Sequence, residues 1–263
     1  VSTEHPIFYG KPLTFNEPRH MYFWGGQPVP SVTTIIGRLD KPGLVWWAAE
    51  EAVKHLRAAW GRNKAVLHDA TIWEDARKAH DRIKRSAGDI GTVLHDVAEA
   101  VQRGVEPDRK AMEKLPAESQ LIASNCAIAL KEWLAEQTFA EADLERKVMS
   151  RELMYAGRCD CFGVINGQLS VLDYKSGGDR IYPETWVQMA AYEIALREEL
   201  GIPEHEPIWH RAVHLSKKTG KCTPAVRGPY HTIAAKQAWR QLVMFDRWMR
   251  QVPTDAQMAR MAG

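Results

Sequence analysis

Two aspartates and a lysine stand close together in this chain: Asp160, and thirteen positions later Asp173-Tyr174-Lys175. Between them lies Asn166-Gly167. That dipeptide is a strong hairpin signal, because a type I′ turn needs φ > 0 at both central residues. A turn there sets Ile165 opposite Gln168, and the later pairs follow in step. Asp160 then falls opposite Asp173, and Arg158 opposite Lys175. Directly opposed residues have Cβ atoms about 4.5–5.5 Å apart on one face. Lys175 joins that face about 6–7 Å along the strand from Asp173. Leu172, Tyr174, Cys159, Cys161 and Ile165 fall on the other face, as core. Two carboxylates so close repel unless something positive lies between them, and Asp160→Asn is expected to relieve that repulsion in the metal-free chain. A lone Asp-x-Lys on a strand is commonly a surface ion pair. The opposed Asp160 is what argues for chemistry: two carboxylates and a lysine suit a hard divalent cation with a phosphate beside it.

Asp160 followed by Asp173-Tyr174-Lys175 resembles the core of the PD-(D/E)XK nucleases. It is most similar to their RecB-type and phage-exonuclease branch, which includes the mitochondrial genome-maintenance exonuclease. Other segments extend the resemblance. Gly91-x-x-x-His95-x-x-x-Glu99 is similar to the helix whose histidine lies at the metal site of RecB-type nucleases. Glu145-x-x-Val148 matches the strand before the hairpin, whose glutamate reaches the active site, with Glu152 as the alternative. Gln188-x-x-x-Tyr192 resembles the pair that follows the Asp-x-Lys strand in that branch. Val29 to Ile35 is similar to a segment near the start of phage and mitochondrial relatives. There Ser31, Thr33 and Thr34 are candidates for phosphate contact, or for capping a strand end.

The resemblance implies a set of roles. Mg²⁺ or Mn²⁺ would be held by Asp160, Asp173 and the Tyr174 carbonyl, with His95 and Glu145 completing the coordination. Lys175 would orient water or neutralise charge in the transition state, and Gln188 and Tyr192 would hold Lys175 or the DNA backbone. The implied activity is that of a metal-dependent DNA exonuclease in phage-like recombination, repair or genome processing. DNA with linear ends or single strands would be the substrate, and a recombinase or single-strand-binding protein a partner by analogy. An endonuclease on the same site, or a non-catalytic DNA-binding or assembly module, is the alternative. Cys159 replaces the proline of the family name. Only Cys222 follows the core, so no iron–sulfur cluster is expected. The chain holds no G-x-S-x-G, P-loop or H-E-x-x-H motif that would support another hydrolase.

The elements that must position these residues follow from periodicity. Residues 1–19 read as irregular. His20 to Ile36 reads as a hairpin turning at Gly25-Gly26, with a β-branched second arm. Pro42 to Trp60 reads as a helix, and Thr71 to Arg85 as another. The second carries Arg77, Lys78, Arg82, Lys84 and Arg85, candidates for the DNA backbone. Gly88 to Arg103 is an amphipathic helix with His95 beside its apolar stripe. A polar linker, 104–116, leads to a helix ending near Gln137. Glu141 to Ser150 alternates as a strand, with Glu145 and Lys147 on one face and Leu144, Arg146 and Val148 on the other. A helix from Pro183 to Glu199 follows the hairpin. Strands from Trp209 and Cys222 flank a basic turn whose Lys217 and Lys218 are further candidates for nucleic-acid contact, and His231 to Gln251 closes the fold.

The bulk numbers agree with such an enzyme. The chain has 263 residues, 45% hydrophobic and 26% charged, as a soluble globular protein would. A net charge of +2 means that nucleic-acid binding must come from local clustering. Four cysteines without zinc spacing read as reduced core thiols of a cytoplasmic protein, bacterial or of a phage-infected host. Ten tryptophans are core, or platforms for bases. No apolar run is long enough to span a membrane. The expected architecture is α/β: a restriction-endonuclease-like central mixed β-sheet flanked by helices, with a helical N-terminal region over the cleft. The expected organisation is a DNA-contacting N-terminal region (1–87), a nuclease core (88–252) and a frayed tail (253–263).

Overall fold

The structure, a computed structural model, describes residues 5–19, 21–178 and 180–251. The expected tail lies outside them. The chain opens with a four-stranded antiparallel sheet: β1 (Ile7–Phe8), β2 (Lys11–Asn16), β3 (Met21–Trp24) and β4 (Gln27–Val29). The expectation of irregular chain up to residue 19 is thus corrected. Long-range burial orders this segment, because Phe8, Leu13, Tyr22 and Trp24 pack against Met149 and Ala156 far along the chain. The hairpin does turn at Gly25-Gly26, but its second arm ends at Val29. The β-branched run that follows is a helix, α1 (Val32–Ile36). Pro30 cannot extend the ladder, and Ser31 Oγ accepts the Thr34 N–H at 3.0 Å as an N-cap.

Next come α2 (Pro42–Arg62), a 3₁₀ turn (Lys64–His68), α3 (Ala70–Arg77) and α4 (Ala79–Gln102). The break expected between Arg85 and Gly88 falls at Lys78 instead. The helix runs through Gly88 because its stripe of Ile90, Val93, Leu94, Val97 and Ala98 is buried and outweighs a helical glycine's cost of about 1 kcal/mol. The polar linker contains a short helix, α5 (Arg109–Glu113), capped by Asp108. It leads to α6 (Ala117–Ala135).

The second sheet has five strands in the order β5 (Phe139–Ser150), β6 (Tyr155–Ile165), β7 (Gln168–Lys175), β8 (Trp209–Leu215) and β9 (Cys222–Arg227). All neighbours are antiparallel except β7 and β8, which run parallel and are joined through α7 (Pro183–Leu200). The chain's described part ends in α8 (Pro229–Gln251). One face of this mixed sheet packs on α1, α7 and α8 through Trp186, Met189 and Trp239. The other packs on α4 and α6 through Leu94, Cys126 and Leu130. The α/β architecture is therefore the expected one, with a sheet as well as helices in the N-terminal region. No helix among the described residues is long and apolar enough to cross a membrane.

Candidate functional site

The site is built on the β6–β7 hairpin. Asn166 and Gly167 have φ of 51° and 75°, the left-handed values that a type I′ turn demands. The register runs as expected from Ile165–Gln168 to Cys161–Leu172 and stops there. Asp160 and Asp173, and Arg158 and Lys175, are therefore not ladder partners, which corrects the simple extension of the turn. The Asp160 carboxylate accepts the main-chain N–H of Tyr174 at 2.7 Å.

The face assignment also changes at this point. Cys159 is buried against α7, whereas Cys161, two residues on, is buried under α4 and α6. On β5 the same reversal separates Val148 from Leu144. Both strands turn over where Glu145 and Asp160 meet, while the pairs on either side, Arg146–Cys159 and Leu144–Cys161, keep one register. Glu145 has φ 53°. A non-glycine residue held there costs on the order of 1–3 kcal/mol and marks a place where the surroundings override local preference.

The turn-over lets three elements converge. His95 from α4, Glu145 from β5 and Asp160 from β6 each offer a ligand atom, all within 4.8 Å of one another. His95 Nδ1 lies 3.4 Å from Asp160 Oδ1. An imidazole nitrogen and two carboxylate oxygens, half-buried, are a donor set that fits a divalent cation. Asp173, expected beside Asp160 at the metal, is paired with Lys175 Nζ at 2.6 Å and accepts from Gln188 Nε2 at 3.3 Å. The same Gln188 Nε2 donates to Tyr192 Oη at 2.8 Å. Tyr174, expected as a carbonyl ligand, meets the site through its N–H, and its hydroxyl donates to Gln102.

Electrostatics divide the two aspartates. Burial raises both. At Asp160 the His95 imidazole, Lys175 and the Tyr174 N–H outweigh burial and hold the carboxyl below its ordinary range. At Asp173 burial wins over Lys175, and the Asp160 charge adds to it, so the carboxyl rises to about 6. Burial opposes a charge on His95, but Asp160 beside it raises the imidazole to about 9. A bound cation would offset the repulsion between the buried carboxylates and displace the proton that His95 holds.

Other candidates take different places. Glu99 is engaged by Arg103 at 2.9 Å rather than joining His95. Glu152 sits in the β5–β6 turn, its N–H donating to Glu198, and is not the site glutamate. Ser31 is buried and spends its hydroxyl on the α1 cap, with Thr33 and Thr34 exposed beside it. Arg77 pairs with Glu74 and Arg82 with Asp75, while Lys78, Arg85 and Lys218 are exposed. Lys217 is half-buried, its ammonium bonded to the Ala87 carbonyl at 2.6 Å, so it is committed to α4. Trp46 and Trp60 expose half or more of their surface on α2. Sequence reasoning missed Gly157, where a Cβ would stand 2.9 Å from Tyr192 Cε1 and 3.0 Å from Val32 Cγ2. A glycine inside a strand is the signal for such a close approach.

Comparison with known proteins agrees with this geometry. A search of curated proteins finds no match. The family model of the PD-(D/E)XK nuclease superfamily matches residues 68–260, a span that contains His95, Glu145, Asp160, Asp173 and Lys175. With the greater part of its length matched and an acidic, lysine-bearing hairpin in its mixed sheet, this chain belongs to the PD-(D/E)XK nuclease superfamily.

Proposed function

We propose that this chain is a metal-dependent deoxyribonuclease that degrades linear DNA from an end. One observation carries the reading: the ligand atoms of His95, Glu145 and Asp160 lie within 4.8 Å of one another, beside an Asp173–Lys175 ion pair of 2.6 Å. These three residues would hold Mg²⁺ or Mn²⁺. When bound, the cation supplies Lewis-acid polarisation of the scissile phosphate.

The chain's own groups do the rest. Lys175 presents its ammonium next to the donor set, where it neutralises charge that builds on the phosphoryl oxygens in the transition state. Asp173 fixes that ammonium. Gln188 fixes Asp173 and is fixed by Tyr192, so the lysine is placed before substrate arrives. Exonucleolytic rather than internal cutting rests on the resemblance to the phage-exonuclease branch, as does the role in recombination, repair or genome processing.

End-labelled linear DNA and the matching closed circle, incubated in Mg²⁺, Mn²⁺ or EDTA with Asp173→Ala alongside, test the reading. Metal-dependent loss of the linear substrate alone, absent in the variant, is the expected result, and the label position gives the polarity. Cutting of the circle would make the enzyme an endonuclease. No cleavage in either metal would leave a binding module on a nuclease fold.

A further inference from the structure

The sheet face that carries the donor set is covered at both ends and open between. At one end Met149 and Ala156 are fully buried beneath the N-terminal sheet, against Leu13, Tyr22 and Trp24. At the other, Leu144 and Cys161 lie under α4 and α6. Two cross-strand pairs occupy the opening. One is Glu145 with Asp160. The other is Lys147 with Arg158, direct partners in the β5–β6 register. Residues two apart on a strand share a face, so Lys147 and Arg158 share that of Met149 and Ala156. They stand about 6–7 Å along the strands from the donor set.

Two cations directly opposite one another destabilise a sheet. No neighbouring charge compensates both. Lys147 makes no ion pair with any described residue. Arg158 is 61% exposed and pairs with Glu145 at 2.8 Å. Asp96 influences Arg158 only through longer-range charge. Such a pair, next to a phosphate-processing site and open to solvent, fits an anion that comes from outside.

We propose that Lys147 and Arg158 seat a backbone phosphate of the nucleic acid, adjacent to the phosphate at the His95–Glu145–Asp160 set. The inference rests on the nuclease reading and adds a subsite to it. Arg158 has the donors for two tasks, since a guanidinium offers five N–H groups in a fork. One edge steadies Glu145 in its left-handed backbone, and the rest meets the phosphate. Lys147 adds a point charge from the opposite strand.

Anisotropy of a fluorescein-labelled single-stranded oligonucleotide, titrated in EDTA at several NaCl concentrations, tests this without turnover. Wild type, Lys147→Ala, Arg158→Ala and the double variant are compared, with circular dichroism as the check on folding. The double variant is expected to bind at least tenfold more weakly. Its slope of log affinity against log salt should fall by about 0.7, the value for one phosphate on a single strand. Lys147→Ala, which touches no acidic group, should shift both in the same direction and leave the Mn²⁺-induced rise in Tm unchanged. Wild-type affinity and slope in the double variant would overturn the seat. So would an Arg158→Ala variant that loses Mn²⁺ binding yet keeps the salt slope, because Arg158 would then only prop Glu145. Wild type that binds no oligonucleotide at low salt would bring down the nuclease reading itself, a result distinct from failure of the subsite.

Discussion

Asp160 accepts the main-chain N–H of Tyr174 at 2.7 Å, one residue beyond the last ladder pair of the β6–β7 hairpin. The aspartate is thus tied to the strand that carries Asp173 and Lys175, while its other oxygen faces His95 at 3.4 Å. These contacts favour the charged carboxylate over its buried, neutral form. Asp160→Asn relieves the repulsion that raises Asp173, but it also loses the contacts that hold Asp160 charged. The variant keeps an oxygen for Tyr174 but gives up the charge that His95 meets. It is expected to be less stable than wild type in EDTA by about 1.5–3 kcal/mol, the range for a hydrogen bond to a charged group. The rise in Tm that Mn²⁺ is expected to give the wild type through ligand linkage should vanish. Thermal melts with and without Mn²⁺ check both; a stabilised variant with an unchanged Mn²⁺ shift contradicts the assignment.

Lys175 is expected to matter for the chemical step rather than for binding. Its ammonium is paired with Asp173 and only 28% exposed, so it contributes little to long-range attraction of DNA. Lys175→Ala should bind an oligonucleotide in EDTA within a few-fold of wild type. Its single-turnover cleavage in Mg²⁺ should fall by roughly 10²–10³, the usual loss for one preorganised donor. Cleavage at the wild-type rate removes Lys175 from the mechanism.

In the proposed function Gln188 acts through Asp173 rather than on a reacting atom. Its amide bridges Asp173 Oδ1 on β7 and the hydroxyl of Tyr192, one turn further along α7. Gln188→Ala should lower kcat by about 10–100-fold, as loss of an outer-shell partner does, with KM nearly unchanged. A rise in KM at constant kcat would place Gln188 on the substrate instead.

The hairpin that carries the two aspartates is legible because it rests on a local rule, while His95, Glu145, Gln188 and Tyr192 are singled out by resemblance. Asn166-Gly167 dictates its own backbone, so the register was right through Cys161–Leu172. His95 lies beside its helix's apolar stripe, but the resemblance of that helix to the RecB-type one is what singles it out. What escaped is tertiary. The turn-over at Glu145 and Asp160 leaves no trace in composition, since alternation on either side stays regular and only the face changes. Val32–Ile36 has strand propensity, yet Pro30 and Ser31 start a helix there. Lys217 reads as part of a basic patch, but its ammonium reaches a carbonyl of α4 that only the fold brings near.

Gly157 tests the link between packing and site. Its neighbours there are the Tyr192 ring and Val32, both buried and fixed. An added methyl must displace one of them, and movement of Tyr192 loosens Gln188. Gly157→Ala is expected to destabilise the fold by about 1–3 kcal/mol, the cost of overpacking. It should lower activity by more than the folded fraction explains. Urea unfolding beside single-turnover cleavage separates the two effects. A destabilised variant with full activity per folded molecule would sever the link.

Acid stability has its source away from the site, at Glu193. This residue is fully buried and meets His210 at 2.9 Å, Arg197 at 2.8 Å and Lys236 at 3.0 Å. Burial would raise its carboxyl, but His210, Lys236 and Arg197 outweigh it and hold the group at about 2. The folded value lies below that of the unfolded chain, about 4.3. The carboxylate's stabilisation is therefore complete above about 4.3 and is lost as pH falls from there through the folded value. The amount is on the order of 3 kcal/mol. Glu193→Gln takes the acid from buried His210 and Arg197 and leaves Lys236 only the exposed Glu204, so it should be less stable by about 3–5 kcal/mol at neutral pH. Its urea midpoint should then fall less steeply than that of wild type as the solution is acidified, and the two curves should converge toward pH 2. Parallel curves from neutral to acid pH would show that another group sets the acid limb.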